Sequence, residues 1–595
     1  LTSRRHNSCK VSDTTVTHGQ DTPETMAPEA ESSPVGDKVS SEAIDQVRTY
    51  HHYTKHRPER PAPGPGYLDW ENQPDPFRRF SGAPLIELPL ITDDDTPPYD
   101  ALFHTDDLAP RSLSPETLGL FLELSLGISA WKGYQNTRWA LRCNPSSGNL
   151  HPTEGYIVLA DNDGWLNGDG VYHYAPKEHA LEQRCSLNAT ASDLLSEILP
   201  TGGFLVGLTS IHWREAWKYG ERAYRYCQHD IGHALGSLSV AAAALGWQVV
   251  ALPTFSDNDV SGLLGIDRPD DFPSDETEHP ALVVAVSTSP DGEIAEQIPD
   301  AFLEKVRASD WTGIASQLSS EQVEWRAISI VEQAAGKPPG ASDRKPASFT
   351  ISSDAPPVFR PELSSAGIIR QRRSAVAMDG QTGLSFEAFQ VMLARTLPEH
   401  IHSPWNHTGF EPRVNLCLFV HRVQGLSPGL YVLMRDRARF DAFRSACSEQ
   451  FEWTPVEMDG LSFFALDLGD YRPLATHISC TQEIAGDGAF SLGMMADFTR
   501  TLEEEGAWSY RRLFWEAGLI GQSLYLEAEA AGVRATGIGC FFDDAFHHLL
   551  GLDPASDEWQ SLYHFTVGGA IDDTRLTTLP AYHHLPSTTS RKTDP

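Results

Sequence analysis

Long apolar runs are missing from this chain. Nowhere do about eighteen apolar residues follow one another, so no transmembrane helix is indicated. Residues 1–56 are polar and carry no apolar core of signal-peptide type, which gives no address outside the cell. Basic charge is also scarce. Lys and Arg number 46 against 81 Asp and Glu, and the formal net charge is −35. That balance disfavours binding to nucleic acid or to an anionic membrane, and leaves room only for a local basic pocket. The eight cysteines (Cys9, Cys143, Cys185, Cys227, Cys417, Cys447, Cys480 and Cys540) are scattered with no Cys-x-x-Cys pair. No zinc-ribbon spacing appears, and a chain of this length needs no disulfide framework. The cysteines therefore read as reduced and the protein as cytoplasmic.

What is present is an ordinary globular composition, 40% hydrophobic and 21% charged over 595 residues, enough for two or three domains. Residues 1–60 are rich in Ser, Thr, Pro, Asp and Glu and are expected to be disordered. A second polar stretch, from about Gly336 to Pro357, reads as a linker. The reading divides the chain into a domain over 85–310, a helical segment and linker over 311–357, and a second domain over 358–585.

Those two domains repeat each other. The segment beginning Tyr224-Arg225 matches the one beginning Tyr510-Arg511 at a constant offset of 286 residues. Gly232 matches Gly518, Gly246 matches Gly532, and Phe255 and Asp257 match Phe541 and Asp543. Leu263-Leu264-Gly265-x-Asp267 matches Leu549-Leu550-Gly551-x-Asp553. Ile231, Leu235, Leu238, Ala242 and Leu245 recur at three- and four-residue spacing, as in a buried helix. Gly246 and Gly532 would end the two copies. Strands are expected over 156–159, 247–252 and 281–286, and again over 414–420, 533–542 and 563–567. Strands alternating with long helices indicate an α+β or α/β domain.

Four clusters carry chemistry. RCNPSSGNLHPTEGY, Arg142 to Tyr156, crowds Pro145, Ser146, Ser147, Gly148 and Asn149 before a strand, where small polar residues let the backbone approach a flat ring. IIRQRRSAVAMDG places Arg372, Arg373 and Ser374 together in an acidic chain. At the start of a helix they would suit a phosphate. ATGIGCFFDD holds Gly537, Ile538 and Gly539 after a helix, the reverse of a dinucleotide fingerprint, so the backbone passes close to something flat or simply bulges. REAWKYGERAYRYCQHDIGH pairs Lys218 with Tyr219, which carry proton transfer if burial shifts a pKa. Cys227, His229, Asp230 and His233 in the same stretch do not share one helix face, and no metal is expected there.

Together these clusters resemble the nitroreductase superfamily, in particular the SagB-type dehydrogenases, over roughly Leu85 to Leu579. The resemblance implies an α+β fold whose two copies form an intramolecular pseudo-dimer, with FMN at the interface between them. It implies that Arg372, Arg373 and Ser374 grip the phosphate, and that Arg575 completes that grip. Arg142, Pro145, Ser146, Ser147 and Asn149 would reach the flavin from the other copy, and Gly537–Gly539 would lie against the ring. Lys218 and Tyr219 would remove the substrate proton before hydride passes to the flavin.

The parts are unevenly shared. The second copy reads PWNHTGFEPRVN where the first has its Ser-rich loop, and Glu504 and Glu505 where the first has Lys218 and Tyr219. The first copy has nothing like Arg-Arg-Ser before Ser114, and Ala251, Leu252 and Pro253 replace the glycines. One FMN per chain is therefore expected. The function expected is an FMN-dependent oxidoreductase acting on a small-molecule or peptide substrate, monomeric because fusion supplies the dimer. The alternatives are a nitro- or quinone-reducing enzyme that uses NAD(P)H as reductant, and a non-catalytic flavin-binding or interaction protein.

Overall fold

The computed structural model describes residues 35–586, except 92–94, 104–107, 162, 274–275, 290–293, 295–297, 342–362, 399–403 and 406–410. Most of the expected linker falls outside the described residues, as do residues 1–34. The helices used below are α1 (Val35–Tyr53), α2 (Pro115–Ser125), α3 (His212–Tyr219), α4 (Ala223–Ala243), α5 (Arg326–Ala334), α6 (Ser365–Gln371), α7 (Phe498–Glu505) and α8 (Ser509–Ala530). The strands are β1 (Ile128–Tyr134), β2 (Thr137–Arg142), β3 (Thr153–Leu159), β4 (Gly170–Ala175), β5 (Ala180–Ser186), β6 (Phe204–Ser210), β7 (Gln248–Ala251) and β8 (His279–Ser287) in the first half. In the second half they are β9 (Val414–Val420), β10 (Gly429–Leu433), β11 (Phe463–Leu468), β12 (Phe490–Asp497), β13 (Arg534–Ile538), β14 (Trp559–Gly568) and β15 (Thr577–Leu579).

Each half is built on one antiparallel sheet, and the two sheets share a strand order. The first runs β5-β4-β3-β6-β8-β7 and the second β11-β10-β9-β12-β14-β13. The class is therefore α+β, two copies of one fold. Side chains alternate across each sheet with the period of a strand. In β9, Val414, Leu416, Leu418 and Val420 face a core common to both halves, while Cys417 and Phe419 face a core private to the second half. In β3, Ile157 and Leu159 join the shared core and Tyr156 and Val158 the first half's own.

The shared core is organised by α4 and α8. Every residue of both helices is buried, and each helix ends before a glycine in the left-handed region, Gly246 at φ 69° and Gly532 at φ 75°. The helices touch backbone to backbone at the matched glycines. A Cβ at Gly232 would run into the Trp515 backbone, and one at Gly518 into the His229 carbonyl. Other matched residues also meet across the interface. The rings of Tyr224 and Tyr510 lie parallel, 3° apart in tilt with centroids 6.5 Å apart. Arg225 of the first half pairs with Asp543 of the second at 2.9 Å, and Arg511 of the second with Asp257 of the first at 2.7 Å. A residue and its partner that recur in reciprocal positions mark an isologous, two-fold interface, here inside one chain. The C-terminal β15 also crosses over, to pair with β1 of the first half.

Residues 35–60 correct the expected disordered segment. Helix α1 buries Val47, Tyr50 and His51 at the centre of the pseudo-dimer. Tyr50 donates to the Glu221 carbonyl at 2.6 Å and meets the rings of Tyr224 and Tyr510 edge-on. Lys55 then reaches Asp544 at 2.9 Å. Composition averaged over sixty residues hid a short apolar stripe that has an interface to cover.

Candidate active site between the halves

The Ser-rich loop of the first half leads into β3. Asn149 and His151 take left-handed φ values of 61° and 53°, beside Gly148 at 60°. The loop is tied to itself: the His151 N–H donates to Ser146 Oγ at 2.8 Å, and the Asn149 amide donates to the Ala140 carbonyl at 2.8 Å. Pro145 is buried, and Ser146, Ser147 and Asn149 are partly exposed. Gly148 has a specific reason to be glycine, because a Cβ there would stand 2.5 Å from the Tyr219 hydroxyl and 3.0 Å from Lys218 Nζ. Lys218 and Tyr219, at the end of α3, thus lie directly against the Ser-rich loop.

Beneath that loop sit two buried carboxyls that the sequence reading did not single out as a pair. Ser146 Oγ donates to Glu215 at 3.3 Å, and the Ser147 N–H donates to Asp230 at 3.2 Å. Burial, and then their mutual repulsion, push the Glu215 carboxyl well above the carboxylate range. Burial raises Asp230 to about 7 despite its bonds to Ser146 and Ser147. The pair therefore holds a proton near neutral pH. The Tyr219 phenol is pushed well above its ordinary value by burial and then by Glu215, so it is a neutral proton donor.

In the second half, Arg372, Arg373 and Ser374 follow α6 instead of opening a helix, which corrects the expectation. Ser364 caps the start of α6, and Arg372 leaves it with ψ at 128°. The three residues then run beside β13, where Ser374 bridges Ala535 and the Ala375 N–H donates to the Ala535 carbonyl at 3.1 Å. The segment thus sits at the C-terminal end of α6, not at a helix N-terminus. Among the described residues the guanidiniums bond to neutral oxygens: Arg372 to the Arg142 carbonyl at 2.8 Å, and Arg373 to Ser129 and to the Arg370 and Arg372 carbonyls. Arg372 Nε has no hydrogen-bond partner among the described residues. Burial, and then Arg372, lower Arg373 to about 10. Lys132 of β1 and Arg534 of β13 add positive charge to the same place, and burial followed by Arg373 and Arg534 lowers Lys132. Arg534 has counter-ions in Glu529 and Asp572. Among the described residues Arg372 and Arg373 have none within ion-pair distance. Two adjacent cations, one buried and one half-buried, without a counter-ion are costly, and a dianionic phosphate would relieve that cost.

The glycine segment corrects the expectation in another way. Flat groups do lie on Gly537 and Gly539, but they are protein side chains. A Cβ at Gly537 would overlap the Tyr563 hydroxyl, and one at Gly539 would stand 2.5 Å from the Tyr226 ring. Ile538 turns its side chain into the second half's core. Arg142 spends its guanidinium on the Pro76 and Thr153 carbonyls, at 2.6 and 3.4 Å. Arg575 is 73% exposed and pairs with Asp573 at 2.7 Å, so it does not join the cation cluster.

Rings outside the expected cofactor and catalytic residues, His229 and His233 among them, connect the two sets of parts. Tyr219 meets Tyr226 at 4.7 Å, and Tyr226 donates to the Gly539 carbonyl at 3.1 Å. His229 stacks on Tyr563 at 4.1 Å, and His233 Nε2 lies 3.2 Å from the Tyr563 hydroxyl. His233 also approaches Tyr525, whose hydroxyl bonds Ser374 at 2.8 Å and whose ring lies under Arg372 at 5.0 Å. Burial lowers His233 to about 3 and His229 well below its usual range, so both imidazoles are neutral. The one available signal was mismatch within the repeat, since Tyr525 aligns with Ser239. The chain of contacts runs from Lys218 and the Ser-rich loop of the first half to the arginines of the second.

The pseudo-equivalent place differs. Glu505 is clamped by Arg413 at 3.0 Å and Arg512 at 2.5 Å, Glu504 meets Arg413 at 3.2 Å, and the Pro253 carbonyl accepts from Lys337. Elsewhere, His212, His279 and Glu332 gather three ligand atoms within 4.8 Å. The two imidazoles stack face to face at 4.1 Å with 8° between planes, so both rings cannot point at one ion without turning. No described helix is long and apolar enough to cross a membrane.

A family model described as the nitroreductase family matches residues 108–286 and 429–569, together more than half of the chain and once in each half. A candidate nitroreductase of Methanocaldococcus jannaschii is 26% identical over 171 residues, 28% of this chain and 83% of that one. The trifolitoxin-processing protein TfxB of Rhizobium leguminosarum bv. trifolii is 29% identical over 176 residues, 28% of this chain and 47% of its own. The match thus spans about half of the TfxB length. A crystal structure of a candidate nitroreductase from Anabaena variabilis superposes with a TM-score of 0.63 at 22% identity, covering 88% of this chain and 99% of that one. This last match extends the shared fold across both halves.

Proposed function

The chain belongs to the nitroreductase family, and on that premise we propose that it is an FMN-dependent oxidoreductase with one composite site between its halves. The observation that carries the proposal is two adjacent guanidiniums, buried Arg372 and half-buried Arg373, without an ion-pair partner among the described residues. They lie on the same chain of contacts as Lys218, Tyr219 and the Ser-rich loop. Arg372, Arg373, Ser374 and Lys132 would hold the phosphate, and Ser146, Ser147 and Asn149 would approach the ring from the other half. Gly537 and Gly539 would contribute their backbone, with Tyr226 and Tyr563 between them and the ligand. FMN, when bound, supplies a hydride acceptor and donor.

The protein's own part is proton handling and positioning. Tyr219 stays protonated at neutral pH and can donate a proton, and Lys218 beside it is the candidate partner for removal of a substrate proton. The protonated Glu215–Asp230 pair supports the loop against which both residues rest. A small molecule or a peptide would be the substrate; the likeness to TfxB, a toxin-processing protein, favours a peptide.

A second reading, a protein that keeps the fold without turnover, is favoured by the tyrosines that already cover Gly537 and Gly539. Anaerobic mixing of the flavin-loaded chain with NADH or NADPH separates the readings. Bleaching of the flavin supports a nicotinamide-fed reductase. Bound flavin that nicotinamides leave oxidised but an organic substrate bleaches supports a dehydrogenase, with Lys218→Ala retaining flavin and losing turnover. A chain that takes up no FMN refutes the proposal.

A further inference from the structure

Two cysteines sixty residues apart in sequence meet beside this site. The sulfurs of Cys480 and Cys540 are 2.6 Å apart. Both residues are partly exposed, whereas the other described cysteines, Cys143, Cys185, Cys227, Cys417 and Cys447, are buried. The backbone is arranged around the contact. Cys480 and Thr481 take left-handed φ values of 53° and 60°, which residues with a Cβ seldom adopt. Hydrogen bonds pin the two segments together. The Phe542 N–H donates to the Ile478 carbonyl at 2.7 Å, and the Gln482 amide donates to the Cys540 carbonyl at 3.0 Å and the Ser479 carbonyl at 2.7 Å.

We propose that Cys480 and Cys540 form a dithiol–disulfide couple that exchanges with small-molecule disulfides, Cys540 attacking and Cys480 resolving. The two thiols are chemically unequal, as such a couple needs. The contact with Cys480, with His56 and Arg222 nearby, lowers the Cys540 thiol to about 5 against the effect of burial. The same contact, and then burial, shift Cys480 upward. The Cys540 thiolate attacks one sulfur of a disulfide RSSR and releases one RS⁻. Cys480 loses its proton and attacks Cys540 Sγ in the mixed disulfide, releasing the second RS⁻. In sum two protein thiols and one RSSR give one protein disulfide and two RSH. Closure clips the Gly537–Gly539 segment to the turn at Cys480, while the Gly539 carbonyl accepts from Tyr226 and Arg222 of the first half at 3.1 and 3.2 Å.

The test uses the full chain, oxidised glutathione as the disulfide, an acid quench, N-ethylmaleimide and peptide mass mapping. Its readout does not involve flavin, so its failure is distinct from failure of the proposed function. The expected result is a Cys480–Cys540 cross-linked peptide while the buried cysteines stay reduced. Cys480→Ser, which keeps a hydroxyl donor beside Cys540, accumulates a glutathione adduct on Cys540, and does so nearly as fast at pH 6 as at pH 8. An ordinary thiol slows by about tenfold per pH unit below its pKa. Cys540→Ser forms no adduct on Cys480 on the same timescale. Full alkylation of both cysteines in the wild type after glutathione treatment overturns the proposal, as does equal adduct formation on both without a cross-link.

Discussion

Replacing Asp543 by alanine tests how the halves are held together. Asp543 belongs to the second half and is fully buried. It accepts from Arg225 at 2.9 Å, from Arg222 at 3.1 Å and from the His56 N–H at 3.1 Å, all three from the first half or the segment before it. Against the upward effect of burial, Arg222 and Arg225 hold its carboxyl well below the usual range. Alanine would leave two buried guanidiniums unpaired. Breaking a buried pair from one side costs about 3–5 kcal/mol. A half of this size loses about 2–4 °C of thermal midpoint per kcal/mol, so the variant should melt roughly 6–20 °C lower. The pseudo-equivalent Asp257→Ala is the internal control. Asp257 is 24% exposed and ion-pairs with one guanidinium, Arg511, where Asp543 pairs with two; Arg511 is itself buried, so the loss should be the smaller of the two, about 3 kcal/mol, the low end for a pair broken from one side. The stabilisation from Asp543 is complete above the unfolded carboxylate value of about 3.9 and is lost only as pH falls from there toward the lower folded value. Scanning fluorescence from the tryptophans at pH 7, repeated toward acid, reads all of this. Equal midpoints for the two variants, or a drop of under 2 °C for Asp543→Ala, would refute the reasoning.

Two further predictions address the site. Asp230 has a raised pKa of about 7, so the folded chain binds its proton where the unfolded chain has released it, and stability falls as pH rises from about 3.9 to about 7. Asp230→Asn should be more stable than the wild type at pH 8 by up to about 4 kcal/mol and show little gain at pH 4, as read by urea midpoints; a constant difference across that range would count against the buried carboxyl pair. Arg373→Ala should weaken FMN by about a hundredfold, since hydrogen bonds to a charged group are worth about 1.5–3 kcal/mol, and should leave riboflavin, which lacks the phosphate, unaffected in a fluorescence titration. Equal weakening of both ligands would take Arg373 out of the phosphate grip.

Much of the fold was legible because the repeat preserves the residues that touch. Gly232 and Gly518 match in sequence and meet in space, as do Tyr224 and Tyr510, and Arg225 and Arg511 exchange their matched aspartates. The strands over 156–159, 281–286, 414–420 and 563–567 could be read from their apolar runs. Helix α1 could not, because its few apolar residues matter only against a surface formed by both halves. The Arg-Arg-Ser segment was visible, but its place after α6 depended on Ser364 capping an apolar turn upstream. Lys132 and Arg534 stand 402 residues apart, and Cys480 and Cys540 stand sixty apart; no local pattern announces either meeting. The glycines at 537 and 539 correctly indicated close approach, yet nothing local told a flavin from the rings of Tyr563 and Tyr226.

The two halves are similar in fold and unequal in chemistry, with Lys218, Tyr219 and the Ser-rich loop in one and Arg372 and Arg373 in the other. Measuring FMN released per mole of chain after reconstitution with excess FMN tests this most directly. One composite site predicts a ratio near one; a ratio near two, or no retained FMN, would contradict it.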